Sequence, residues 1–170
     1  MEFNKVCGCL YEACADGDLL QLESISEHLK IEHARSDNNF AFRVACGKGH
    51  LKVAKWLVDT FGLTITDVRS SDNDAFRRAC YYGHLNILQF LIGRFQLSED
   101  DYSQPVNLNW IRLMKKGCGE GNKFMVSWFV TNFPNNDIPE ECEEFVKEVL
   151  NENDVMIKPA SKHAWIAKIE

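Results

Sequence analysis

No stretch of this chain approaches the roughly 18 consecutive apolar residues that a membrane-spanning helix requires. The N-terminus, MEFNKVCGCLYEACADGD, carries acids and lacks a basic leader with a long apolar stretch, so a secreted product is not expected. Both absences predict a chain that stays in the reducing cytoplasm. A basic surplus is missing too. The 19 Lys and Arg face 25 Asp and Glu, for a formal charge of −6 and a pI near 5.4. Phosphate contacts need clustered cations, which excludes a general nucleic-acid binder. Between residues 139 and 170 eight acids stand against four lysines, a net of −4. Such an end either solubilises the chain or offers an acidic contact to a basic partner.

The signatures of chemistry are also missing. GCGEGNK, residues 117–123, is glycine-rich but has the wrong spacing for a phosphate-cradling loop. His50 and His84 have no nucleophile or carboxylate at matching spacing, as acid–base catalysis would need. Cys7-x-Cys9 with His28 and His33 departs from the usual zinc-ligand spacing, which leaves free thiols as the simpler reading. No catalytic residue, metal or cofactor is therefore expected.

What the chain has is a repeat. Shifted by 34 residues, AFRVACGKGHLKVAKWLVDTFGL falls on AFRRACYYGHLNILQFLIGRFQL with 11 identities. Leu10, Ala13, Cys14 and Gly17 form a weaker copy upstream, and Met114, Gly117, Cys118 and Gly121 another downstream. End copies of a repeat array are commonly atypical, because each lacks a neighbour on one side.

Each copy reads as two helices. Phe42, Ala45 and Cys46 stand at i, i+3 and i+4, the spacing of one helical face. Gly49 ends that helix, since glycine accepts the left-handed turn of a sharp stop. A second helix, His50 to about Thr60, carries Leu51, Val53, Ala54, Leu57 and Val58 inward, and Gly62 closes it. ARSDNN and RSSDND read as polar turns between copies. Cys14, Cys46, Cys80 and Cys118 share one register in successive copies, about one helix diameter (~10 Å) apart. That is too far for a disulfide or a shared zinc, so they read as small core residues.

The period, the small-residue pair and the Gly-His-Leu opening of the second helix resemble the ankyrin-repeat family over roughly Leu10 to Phe133. The wording AFRxACxxGHL is similar to that of ankyrin proteins from large DNA viruses of amoebae. One departure stands out. The family commonly opens its first helix with Thr-Pro-Leu-His, whereas here FAFR and DAFR stand in its place, so Arg43 and Arg77 are candidates to tie neighbouring loops instead. The resemblance implies an all-α ankyrin-repeat solenoid with about four repeats (approximately 5–34, 37–69, 72–104 and 107–138). A capping helix and tail would follow over 139–170, with Cys142, Phe145, Val146 and Val149 on the helix's apolar face.

It also implies a protein-interaction module that binds a protein partner through its concave face and turn tips, with no nucleic acid and no membrane. The alternative is a structural component that self-associates in a larger assembly, a viral one if the similarity to viral repeats carries over. The positions carried over from the family are Lys48, Tyr81, Tyr82 and Glu120 after the small pair, and Asn39 and Asn73 at the turn tips. Tyrosine combines apolar area with a hydroxyl, which suits a binding hot spot, although partial packing on a neighbouring turn would also explain the pair. Trp56, Phe90 and Trp128 share a register on the second helix. Half-covered, they would form an apolar patch; fully packed, they would knit repeats together.

Overall fold

The computed structural model describes residues 3–97, 110–132 and 138–151. All regular structure among the described residues is helical, and the chain divides into two compact units, Met1–Asn107 and Leu108–Glu170.

Unit one is an all-α solenoid of stacked helical hairpins. Its elements are α1 (Phe3–Asp16), α2 (Leu19–Ile25), α3 (Ile31–Lys48), α4 (Leu51–Phe61), α5 (Ile65–Val68), α6 (Ser70–Tyr82) and α7 (Leu85–Phe95), with a single 3₁₀ turn at Ser26–His28. The first helices pack in one row, α1 on α3 and α3 on α6, and the second helices α4 and α7 meet behind them. Burial follows the repeat register. Leu10, Phe42 and Phe76 are fully enclosed, as are Ala13, Ala45 and Ala79, with Cys14, Cys46 and Cys80 beside them. Burial pushes the Cys14 thiol up to about 12 and the Cys46 and Cys80 thiols higher still, so all three remain neutral core groups. Leu51, expected inward, is only half-buried, while Val53, Ala54, Leu57 and Val58 are buried.

The segments read as polar turns contain more structure than expected. Each follows on a short right-handed turn, residues 31–35 or 65–68, and contains three consecutive residues in the left-handed region. These are Asp37, Asn38 and Asn39 with φ of 50°, 56° and 60°, and Ser71, Asp72 and Asn73 with φ of 51°, 56° and 59°. L-residues rarely adopt this conformation in succession. Asp and Asn enter it most readily because their short polar side chains bond locally. The preceding short turn is closed at its start by the side chain three residues on. The Lys30 amide donates to His33 Nδ1 at 2.9 Å, and in the next repeat the Thr64 amide donates to Asp67 Oδ2 at 2.9 Å.

Unit two holds α8 (Trp110–Gly119), α9 (Lys123–Asn132), a 3₁₀ turn at Glu140–Cys142, and α10 (Glu143–Asn151). Leu113, Met114, Met125, Phe129, Cys142, Val146 and Val149 build its core, and α9 packs on α10. Lys115 pairs with Glu141 at 2.6 Å and Lys123 with Glu148 at 2.9 Å, so the capping segment is held to both helices of the hairpin. Pro139 caps the 3₁₀ turn rather than standing inside a helix, and Phe145 is half-buried on the expected apolar face. The linker around SEDDYSQPVN, the loop residues 133–137 and the tail 152–170, with Trp165 and Ile166, lie outside the described residues.

Candidate protein-interaction face

The C-terminal ends of the first helices and the glycines that follow them shape the face. Gly49 and Gly83 stop α3 and α6 with φ of 80° and 74°. The next residue is His50 or His84, and neither ring caps its own helix. Each reaches back one repeat. His50 Nε2 lies 3.0 Å from the Ala15 carbonyl, and His84 Nε2 lies 3.0 Å from the Gly47 carbonyl. The ring also fills the space where a side chain would otherwise sit. A Cβ on Gly17 would fall 2.6 Å from His50 Nδ1, and one on Gly49 would fall 2.5 Å from His84 Nδ1. Glycine is therefore required twice over, by backbone sign and by the neighbour's ring.

Arginines complete the tie between repeats. Arg43 donates from Nε to the Asn38 carbonyl at 2.9 Å and from Nη2 to the Asp37 carbonyl at 2.9 Å, which clamps its own left-handed turn. Its Nη1 then meets Asp74 of the next repeat at 2.6 Å. This is the loop-tying role expected of Arg43. Arg77 instead turns to Asp74 within its own helix, at 3.5 Å. Arg78 Nε adds a third guanidinium to Asp74, at 2.6 Å. Burial alone would raise the Asp74 carboxyl, but bonds from Arg43 and Arg78 outweigh it and hold it below the usual carboxylate range. A second clamp runs from Arg35 to Asp67 through two bonds of 2.9 and 3.1 Å. Asp67 is likewise depressed. Burial acts against ionisation, and Arg35 and the Thr64 amide and hydroxyl overcome it.

Beyond these clamps lies a cleft of about 370 Å³, lined by Val44, Gly47, Lys48, Arg78, Tyr82 and His84. Tyr82 lines it and Tyr81 is the residue before, 50% and 61% exposed, with their rings 5.0 Å apart in a T-shaped pair. Lys48, Tyr81 and Tyr82 are all exposed at the C-terminal ends of α3 and α6 in unit one, and Glu120 is exposed just past the end of α8 in unit two. The asparagines are placed otherwise. Asn39 is only 6% exposed and its Oδ1 has no hydrogen-bond partner among the described residues, while Asn73 is half-buried. The left-handed turn directs Asn39 into the stack, where it cannot offer its side chain as a turn tip would.

On the second helices, Trp56 and Phe90 are half-buried, whereas Trp128 at 8% exposure departs from the expected half-covered ring. Trp56 meets Phe61 edge-on at 5.7 Å, and Phe90 meets Phe95 in the same way at 6.1 Å. Lys55 Nζ sits 5.8 Å above the Phe90 ring. Arg78 and Val44 were not anticipated at the site. Sequence offered only the doubled arginine after Asp74, and its pairing needed the fold.

Residues 42–92 match the family model described as ankyrin repeats (many copies). No curated protein and no solved structure matches the chain. The match covers the two central hairpins, and the outer copies share their register in the sequence. Among the described residues no helix is long and apolar enough to cross a membrane.

Proposed function

We propose that this chain is a protein-binding scaffold whose contact surface is the first-helix face of unit one, centred on Lys48, Tyr81 and Tyr82. One observation carries the reading: two adjacent tyrosines stand exposed at the rim of a cleft on a family scaffold that binds proteins. Exposed aromatic residues beside a basic cleft are the composition of an interface hot spot. The clamps from His84, Arg43 and Arg35 fix the backbone around them, so little conformational entropy is lost when a partner docks. No cofactor or catalysis enters this reading. The viral wording of the repeats would make the partner a host protein in the cytoplasm. Glu120 and the register-related Asn39, Asn73, Trp56, Phe90 and Trp128 are secondary positions, of which Trp56 and Phe90 would mark a contact on the opposite face.

The test is capture from cell extract with wild type and with Tyr81→Ala/Tyr82→Ala. Both side chains are exposed, so the double variant keeps its melting temperature while the captured protein falls by at least tenfold. Retention at unchanged strength moves the contact elsewhere. If Trp56→Ala alone lowers the solution mass of the chain, the self-associating structural component replaces the adaptor.

A further inference from the structure

The charge around the cleft runs against the charge of the chain. The whole sequence carries −6, yet no Asp or Glu lines this cleft among the described residues, while Lys48 and Arg78 both do. Asp74 pairs with the cleft's Arg78, and its carboxylate is shared with two further arginines. Its Oδ2 takes Arg43 and Arg78, each at 2.6 Å, and its Oδ1 faces Arg77 at 3.5 Å. Three guanidinium groups against one carboxylate leave two positive charges uncompensated there. Lys48 adds another, exposed and without an ion pair among the described residues. Asp37 makes no ion pair with Arg43 among the described residues: it offers Arg43 only its carbonyl, and its carboxylate accepts from the Tyr11 hydroxyl at 2.9 Å.

Shape agrees with charge. Arg78 uses Nε on Asp74, which leaves its two terminal nitrogens without an acceptor among the described residues. A guanidinium so held presents a planar donor edge of the kind that recognises a carboxylate. Gly47 keeps the space open, because a Cβ there would come within 3.1 Å of Arg78 Cβ and Cδ. Val44 and the Tyr82 ring supply apolar wall for the methylenes of a side chain. The volume falls at the small end of ligand clefts, which suits one side chain and its flanking backbone rather than a large cofactor.

We propose that this cleft, between α3 and α6, receives a glutamate or aspartate side chain from an acidic segment of the protein partner, held between Lys48 and Arg78. The inference rests on the first-helix face being the contact surface.

A randomised dodecapeptide display library selected on the 170-residue chain provides the test. The selected peptides share one acidic position, and the best is synthesised with Glu, Gln, Lys or phosphoserine there. The Glu peptide binds at least tenfold more tightly than the Gln peptide. Lys48→Gln removes most of that preference, and Lys48→Glu reverses it in favour of the Lys peptide. Lys48 is exposed, so these variants stay folded. Arg78→Gln, checked by its melting curve, reduces the same preference and is non-additive with Lys48→Gln. Equal binding of the Glu and Gln peptides overturns the proposal, and so does a phosphoserine peptide that binds tenfold more tightly than Glu, which would make this a phosphate site. If Tyr81→Ala/Tyr82→Ala weakens the peptides while Glu and Gln bind alike, the face survives and only the carboxylate assignment falls. Peptides indifferent to every one of these substitutions remove both.

Discussion

The central and outer repeats solve the same local problem in opposite ways. At the residue that opens the second helix, the outer copies cap themselves: Asp18 accepts from the Gln21 amide at 2.9 Å, and Asn122 accepts from the Met125 amide at 3.0 Å. The central copies place His50 and His84 there, give up the local cap, and bond the carbonyl of the preceding repeat. Likewise Arg43 spans to Asp74 of the next repeat, whereas Lys115, at the matching position, pairs with Glu141 of the capping segment. Tyr11, at that register in the first copy, reaches Ser36 at 2.6 Å and Asp37 at 2.9 Å, and burial raises its hydroxyl to about 12. In the central copies these polar groups couple one repeat to another, whereas Asp18, Lys115 and Asn122 close their own unit. In a one-dimensional array, stability is the sum of intrinsic and interface terms, so the two classes of residue act on different terms.

The strongest way to break this contrast is at the glycines. Gly49→Ala combines a positive φ with a collision against the His84 ring, and is expected to cost about 2–3 kcal/mol in denaturant unfolding. Gly121→Ala also has a positive φ, of 62°, but meets nothing within 4 Å, and should cost only about 1 kcal/mol. Equal losses would show that ring packing contributes nothing.

Next is Asp74→Asn, which removes the carboxylate shared by three arginines and should cost about 2 kcal/mol near neutral pH. Its pH dependence has a definite sign. Asp74 and Asp67 ionise more easily folded than unfolded, where an Asp titrates near ~3.9. Their contribution is therefore complete above that value and disappears as pH falls through the lower, folded values. Unfolding followed from pH 6 down to pH 2 should show wild type losing stability below about pH 4. Asp74→Asn should lose less over the same range, and an unchanged acid limb would rule the linkage out.

The smallest expected effects sharpen the comparison most. His84→Ala should cost about 1 kcal/mol by leaving the Gly47 carbonyl unpaired, and should broaden the unfolding transition because it weakens a link between repeats. Asp18→Ala should cost a similar amount, about 1 kcal/mol, but leave the transition width unchanged, since only a local cap is lost. Two transitions of identical width would erase the distinction between coupling and closure.

The sequence determined the solenoid itself. Spacing of Phe42, Ala45 and Cys46, the stop at Gly49 and the 34-residue shift are local or periodic signals, and periodicity survives without any knowledge of contacts. It also marked Tyr81 and Tyr82, because a large side chain outside the apolar stripe must lie at the surface. Tertiary structure decided the rest. Whether Asn39 faces solvent depended on three successive left-handed residues, and whether Trp128 is covered depended on how the core of its unit closes around it. The charge of the cleft depended on which carboxylate Arg43, Arg77 and Arg78 share. A charged side chain is long and flexible, so its pairing is settled by what the fold brings within reach, and sequence distance says nothing about it.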